Sequence, residues 1–504
     1  MTEHTATDSA HVDVVIVGAG LSGIGAAYRL QTLCPTKSYA VLEARGDMGG
    51  TWDLFRYPGI RSDSDMFTLG YPFRPWCDAK SIADGDSILR YIRDTAAETG
   101  VDRHIRYNSK VVGAEFSTVT SLWTLTIDRK AEGGEVTTVE LTCNFLYSCS
   151  GYYNYDEGHD AQLPGLDTFA GTVVHPQFWP EDLDYAGKNV VVVGSGATAV
   201  TLVPSMAAEA GHVTMLQRTP TWISAVPSRD KIADRLRALL PANLAHRVIR
   251  TKNILFSTAF YQYCRRRPQS ARSLLTKLST RILGDEELVA EHFTPTYNPW
   301  DQRLCAIPNA DLFRAIKKGT AEVVTDRIDA VVPEGIRLAS GRTLDADIVV
   351  TATGLKLQAF GGVELKVDGV TVDLPSQFVW QGTMISGLPN FAICIGYTNA
   401  SWTLRADLTS RLVCKIINYM DRNDYGAVVP TPDTALNERP LLDLAAGYVQ
   451  RSINDFPRQG DRSPWKVRQN YILDSVTTMR VDLGKTLQGT PGPAMRSTEV
   501  PTAV

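Results

Sequence analysis

Residues 12–30, VDVVIVGAGLSGIGAAYRL, start as a β-branched apolar run, pass through a glycine cluster and continue with apolar residues at helical spacing. This pattern predicts a strand, a tight turn and a helix. YAVLEAR then reads as a second strand ending at Glu43, which completes a βαβ unit. The same pattern recurs in KNVVVVGSGATAVTLV, with HVTMLQR at 212–218 as its second strand. Between the two units, WTLTI and EVTTVELT alternate apolar and polar positions and predict antiparallel strands. FLYSCSG (145–151), DADIVVTATG (345–354) and FAICIGYTNAS (391–401) read as buried strands ending in small residues, the form that lines the ligand crevice of an open α/β sheet. The expected fold class is α/β, with two Rossmann-like dinucleotide-binding domains and a helical insertion. The first domain spans 1–150 and resumes over 336–504; the second spans 151–335, with the insertion at about 225–295. The tail after about Leu483, rich in Gly, Pro, Thr and Ser, reads as flexible.

The chain has 504 residues, 44% hydrophobic and 21% charged with a formal net charge of -4, which excludes collagen-like, disordered and supercharged classes. With 51 Lys and Arg against 55 Asp and Glu there is no global positive field, so nucleic acid is not expected as a partner. Eight cysteines lie scattered without disulfide-dense or metal-ligand spacing, and read as thiols of a reducing compartment; no metal site is expected. The N-terminal stretch MTEHTATDSAHVD lacks a secretory pattern, and no apolar run approaches the ~20 residues of a membrane span, so the cytoplasm is the expected location. From Arg229 to Arg281, thirteen Lys and Arg face only Asp230 and Asp234. This stretch is either a solvated helical insertion or an interfacial surface that gathers apolar substrates or anionic lipid, in peripheral contact with a membrane.

Gly18, Gly20 and Gly23 fit GxGxxG: the first allows the tight turn, the second lets backbone approach a pyrophosphate, and the third allows close helix packing. Glu43 stands where a carboxylate accepts both ribose hydroxyl protons, which suits FAD or NAD and repels a 2′-phosphate. The second set is Gly194, Ser195, Gly196, Ala197, Thr198 and Ala199, and its second strand ends in Arg218 and Thr219, a cation and a hydroxyl suited to the 2′-phosphate of NADPH. The two sites differ as one FAD and one NADPH site would; two βαβ units using glycine only for packing are the bland alternative. A disulfide reductase pairs the same cofactors but needs a redox cysteine pair near the first motif, where Cys34 stands alone.

Between the two sets, FAGTVVHPQFWP matches FxGxxxHxxxWP through Phe169, Gly171, His175, Trp179 and Pro180. With GGTWDLFRYPGIRSDSDM, GYYNYDEG, NPWDQRL, PNADLFRAI and GYTNASWTL, the chain resembles the type I Baeyer-Villiger monooxygenases, class B flavoprotein monooxygenases, and most closely their ethionamide-activating members, over about residues 11–480.

The resemblance implies an enzyme with FAD and NADPH as cofactors and dioxygen as co-substrate. It would convert a small apolar ketone to an ester or lactone through a flavin C4a-peroxide, and would also oxidise sulfides. Its nearest alternative is an S- or N-oxygenating enzyme acting on sulfides, thioamides or amines, and the remoter one is a flavin-binding sensor without turnover. By resemblance Arg303 is the catalytic arginine, a fixed cation for developing oxyanions. Asp63 would pair with it and contact nicotinamide; Asp65 is its competitor on chemistry alone. The resemblance further places Gly50, Thr51 and Trp52 near the flavin ring, Ser22 near the pyrophosphate, Val111 near the adenine, and Arg61 and Ser62 against NADP. Asn399 and Trp402 would lie near the substrate pocket, with core packing the alternative for Trp402. His175 reads as a hinge residue, with direct proton transfer the alternative.

Overall fold

The computed structural model describes residues 11–493; the first ten residues and residues 494–504 lie outside them, among them most of the N-terminal stretch read for a leader and the end of the tail. The first sheet is built around one long strand, Val136–Ser148, which is mostly exposed over its first five residues, alternates in burial over the next four and is fully buried along its last four. Its exposed and alternating part pairs antiparallel with Leu122–Lys130. The fully buried end lies parallel to His11–Val17 on one side and Phe391–Ile393 on the other. Tyr39–Leu42 extends the parallel part next to His11–Val17. The sheet thus draws on both ends of the chain.

The second sheet has five strands, all parallel, in the order Ala321–Thr325, His212–Gln217, Asn189–Val193, Ile348–Thr351 and Thr172–Val174. Val190, Val192, Ile348 and Val350 are at most 1% exposed, as expected for strands covered on both faces. The second unit extends past the boundary expected at 335, because Gly335–Leu338 and Thr343–Asp345 form an antiparallel appendage with Ile328–Val332 that leads into its fourth strand. The chain rejoins the first sheet at Glu364–Val367, which pairs with Ser109–Ser117.

Each sheet has a topological switch point where strand order reverses, and each glycine turn sits there. Gly18, at φ +101°, leaves no room for a side chain: a Cβ would lie 2.9 Å from the Cys149 carbonyl oxygen. Gly194, at φ +139°, is packed the same way, with the Ala352 oxygen 2.3 Å away. The helices Leu21–Leu33 and Ala197–Met206 follow these turns, and neither has an acidic residue in its first turn to neutralise the positive end.

The insertion consists of Lys231–Leu239, Ala242–Arg266, Pro268–Leu283 and Glu286–His292. Its second helix is pinned to the first unit by Arg250, 7% exposed, which donates to the carbonyls of Phe67, Thr68 and Gly70. The tail is ordered further than its composition suggests. Leu483–Thr486 is helical and Leu487–Pro491 pairs with Tyr425–Pro430, because Leu483 and Leu487 bury apolar side chains at 4% and 5% exposure. No helix among the described residues is long and apolar enough to cross a membrane.

A Cβ on Gly23 would meet the Gly18 carbonyl oxygen at 1.8 Å. We expect Gly23→Ala to force the first helix from its turn and to destabilise the protein by on the order of 2 kcal/mol or more, read by denaturant unfolding.

Candidate functional site

The carboxyl ends of the two sheets face a single cleft of about 1340 Å³, larger than the ~300–1000 Å³ of one ordinary small-molecule site. One wall comes from the first glycine turn and the loop Gly49–Trp52, the other from Gly194–Thr198. Ser150, Gly151, Ala352, Thr353 and Gly354, from strand ends that the sequence marked as small, line the floor.

On the first wall the backbones of Gly20 and Gly50 approach closely: a Cβ on Gly50, at φ +57°, would lie 3.1 Å from the Gly20 Cα. Bare backbone here, with the uncompensated N-terminus of Leu21–Leu33 behind it, forms a surface suited to a pyrophosphate. Thr51 and Trp52 line the cleft beside it. Ser22 and Trp402 also line it, and they bond to each other, with the indole Nε1 donating to the serine Oγ at 2.7 Å. Glu43 lies beneath the turn, 6% exposed and off the lining. Its carboxylate accepts from the backbone N–H of Ala19 at 2.7 Å and of Arg45 at 3.0 Å. Burial pushes its pKa up, against the pull of those donors. Val111, 4% exposed at a bulge in its strand, is likewise off the lining.

On the second wall Ser195 Oγ donates to the Thr219 carbonyl at 3.1 Å and lies 2.8 Å from Thr221 Oγ1, tying the glycine turn to the end of the neighbouring strand. Ala199 stands where the first unit has Gly23 and is fully buried, packing the helix against the sheet. Arg218 and Thr219 are exposed to the cleft, and Arg327, after the strand Ala321–Thr325, joins them. Neither arginine has an acidic partner within ion-pair distance among the described residues, so two cations are available to an anion there.

Between the walls Arg303 Nη2 forms an ion pair with Asp63 Oδ2, the two side chains 33% and 38% exposed to the cleft. Asp63 raises the arginine's pKa by more than burial lowers it, so the guanidinium is charged at any working pH. Tyr152, Tyr153 and Tyr448 surround the pair, with the Tyr448 hydroxyl within hydrogen-bonding reach of Arg303. Burial pushes all three phenols above their usual range, which keeps the hydroxyls protonated. The ring of Tyr152 lies 5.4 Å from that of Trp402, so the two aromatic side chains meet in the lining of the cleft.

Asp65, the chemical competitor of Asp63, caps the helix Met66–Leu69 instead, accepting from the Thr68 N–H at 3.0 Å, the Thr68 hydroxyl at 2.7 Å and Asn253 Nδ2 at 2.9 Å. Arg61 and Ser62 line the cleft with their polar groups already engaged, Arg61 in an ion pair with Asp311 and Ser62 Oγ by the Ala83 N–H. Asn399 lies off the lining and donates to the Gln469 carbonyl at 2.9 Å.

The fingerprint Phe169, Gly171, His175, Trp179 and Pro180 also lies off the lining, around the edge strand Thr172–Val174 where the chain passes from the first unit to the second. A Cβ on Gly171 would meet the Asp347 carbonyl oxygen at 2.3 Å. The His175 ring fills the space over Gly158, and its Nδ1 accepts from the Gln177 N–H at 3.2 Å. Burial, with a smaller effect from His159, lowers its pKa against a small upward pull from the Gly354 carbonyl, which favours neutral imidazole. Arg327, Tyr153 and Tyr448 were not singled out from sequence. Arg327 follows a parallel strand as Arg218 does, so the strand-end rule applied to a third strand would have found it.

Residues 67–250 match the flavin-binding monooxygenase-like family, and residues 16–78 match an NAD(P)-binding Rossmann-like domain. The fold is similar to that of an oxidized steroid monooxygenase bound to NADP, with a TM-score of 0.73 at 22% identity over 96% of this chain and 100% of the other. It is also similar to OTEMO in complex with FAD and NADP, with a TM-score of 0.67 at 23% identity over 83% and 86%. Among curated relatives, the probable FAD-binding monooxygenase AlmA of Acinetobacter baylyi is 44% identical over 92% of this chain and 93% of its own. The FAD-containing monooxygenase EthA of Mycobacterium tuberculosis is 54% identical over 92% of this chain and 94% of its own. Identity at that level, along nearly the full length of both chains and across both glycine turns, shows that this chain belongs to the FAD-containing flavin monooxygenases.

Proposed function

We propose that this flavin monooxygenase is an NADPH- and dioxygen-dependent Baeyer-Villiger enzyme, converting small apolar ketones to esters or lactones and also oxidising sulfides. The observation that carries the reading is the charged Arg303–Asp63 pair, open to a cleft that two phosphate-binding turns share. FAD would lie along Gly18, Gly20 and Gly23, with Gly50, Thr51 and Trp52 beside its ring system and Glu43 and Val111 behind the turn. NADPH would lie along Gly194–Ala199, with Arg218, Thr219 and Arg327 on its 2′-phosphate. When bound, FAD supplies the redox chemistry, taking hydride from NADPH and activating dioxygen.

The protein supplies charge and order. Arg303 offers a cation that needs no proton uptake, which would stabilise the negative charge that develops on oxygen as a ketone carbonyl is attacked. Asp63 fixes the guanidinium plane and offers a carboxylate to a nicotinamide amide. Tyr152 and Trp402 offer apolar surface beside the pair, which would strengthen both interactions once bound cofactor and substrate displace water from the cleft. The neutral hydroxyls of Tyr152 and Tyr448 support the second reading, oxygen transfer to a sulfide, thioamide or amine, in which a donor assists the oxygen left behind.

NADPH oxidation by the FAD-loaded enzyme is expected to rise on addition of phenylacetone and to yield benzyl acetate. Turnover of methyl phenyl sulfide with no response to ketones would favour the second reading. Arg303→Ala should retain FAD and lose ketone oxygenation by about 100-fold or more. Arg218→Ala and Arg327→Ala should each raise KM for NADPH by about tenfold, one charge-assisted contact, with little change for NADH; steady-state kinetics with the two nucleotides checks this.

A further inference from the structure

The helical insertion presents a charged and apolar surface that the cleft does not use. Of the thirteen Lys and Arg in 229–281, five are occupied by the protein. Arg237, Arg250 and Arg272 donate to backbone carbonyls, and Lys252 and Arg265 pair with Asp230 and Asp301. The other eight are exposed, and none has an acidic partner within ion-pair distance among the described residues. The same 53 residues, about a tenth of the chain, hold eight of the seventeen exposed large hydrophobic side chains of the described residues.

Helical periodicity places the two kinds together. On Lys231–Leu239, Ile232, Arg235 and Leu239 share the i, i+3, i+7 stripe, with Ile232 56% and Leu239 79% exposed. On Ala242–Arg266, Leu244, Val248 and Leu255 form an outward stripe beside Arg247, opposite the buried Ala245, His246, Ile249 and Arg250. On Pro268–Leu283, Leu274, Lys277, Leu278 and Arg281 are exposed along one side, flanking the buried Ala271 and Leu275. The helix Tyr471–Arg480 adjoins this region, with Tyr471 packed against the cluster of Ile254, Tyr397 and Leu404 and with Ile472, Leu473 and Val476 exposed. A merely solvated helix face has no use for apolar side chains between unpaired cations. An interfacial helix needs both, the apolar groups entering the acyl boundary and the cations reaching the headgroups.

We propose that this face docks on an anionic phospholipid bilayer, as a peripheral contact. Behind it, Ile254 packs with Tyr397, Leu404 and Ala400, and Tyr397 and Ala400 line the cleft, so one layer of side chains separates the docking face from the site.

The test is co-sedimentation of the full-length, FAD-loaded protein with phosphatidylcholine vesicles, with and without about one-third phosphatidylglycerol. Binding at least about tenfold stronger to the anionic vesicles, and released by ~0.5 M NaCl, is expected. The triple variant Arg247→Glu/Lys277→Glu/Arg281→Glu should lower it by about tenfold or more, with FAD content and soluble-substrate turnover unchanged. Leu244→Ser/Leu255→Ser should weaken it as well, which separates insertion from charge alone. Equal binding to neutral and anionic vesicles, or binding unaffected by the triple variant, would overturn the proposal. So would self-association in sedimentation equilibrium that the triple variant abolishes, since the face would then join two copies of the chain.

Discussion

Two turns at which no side chain fits set the geometry of this enzyme. At Gly18 and at Gly194 the backbone takes positive φ with a neighbouring strand's carbonyl oxygen within 2.9 Å and 2.3 Å of where a Cβ would stand. Because each turn is pressed against the end of the adjacent strand, the helix that follows starts directly over the sheet's carboxyl edge, with its positive end open. Two such edges facing one another make a single long cleft out of two separate sheets. The Arg303–Asp63 pair joins the two units because Asp63 comes from the loop after Thr51–Leu54 of the first and Arg303 from the loop before Cys305–Pro308 of the second.

The joint between the units combines apolar and polar contacts, with Leu54, Phe55 and Tyr57 of the first unit packed in one core cluster with Val174, Val190 and Ala199 of the second. The Arg61–Asp311 ion pair crosses it, and Arg250 ties the insertion to the segment 67–70 through three carbonyls. His175 and Gly171 secure the crossing chain at the sheet edge, off the cleft lining. Removing one partner of these contacts leaves a partly or fully buried charge uncompensated, so their directional demand is strong even where their net stabilisation is small. That is a suitable means of fixing how two nucleotide-binding walls face each other.

Features set by neighbours in the chain were legible in the sequence, and features set by distant packing were not. Both glycine turns, the buried strands with small C-terminal residues and the antiparallel meander follow from local period and turn chemistry. Asp63 could not be separated from Asp65 by charge alone, yet Asp65 with Thr68 three residues on, before the apolar MFTL, is a helix cap, and that local signal was available. Glu43 and Val111 lie behind the wall where an adjacent position was expected, since sequence spacing does not report depth. Tyr448 and Arg327 reach the cleft only through tertiary placement, and the late boundary of the second unit follows from an antiparallel appendage that composition does not reveal. The ordered tail shows the same limit: Leu483 and Leu487 find partners that a Gly- and Pro-rich composition conceals.

The central claim is that two dinucleotides share one cleft with the Arg303–Asp63 pair between them. A crystal structure of the protein with FAD and NADP+ bound together tests it most directly. The account predicts the FAD pyrophosphate at the start of Leu21–Leu33, the NADP+ pyrophosphate at the start of Ala197–Met206, and the nicotinamide against Asp63 with Arg303 beside the flavin ring. A nucleotide bound at only one of the two turns, or a nicotinamide remote from the ion pair, would contradict it.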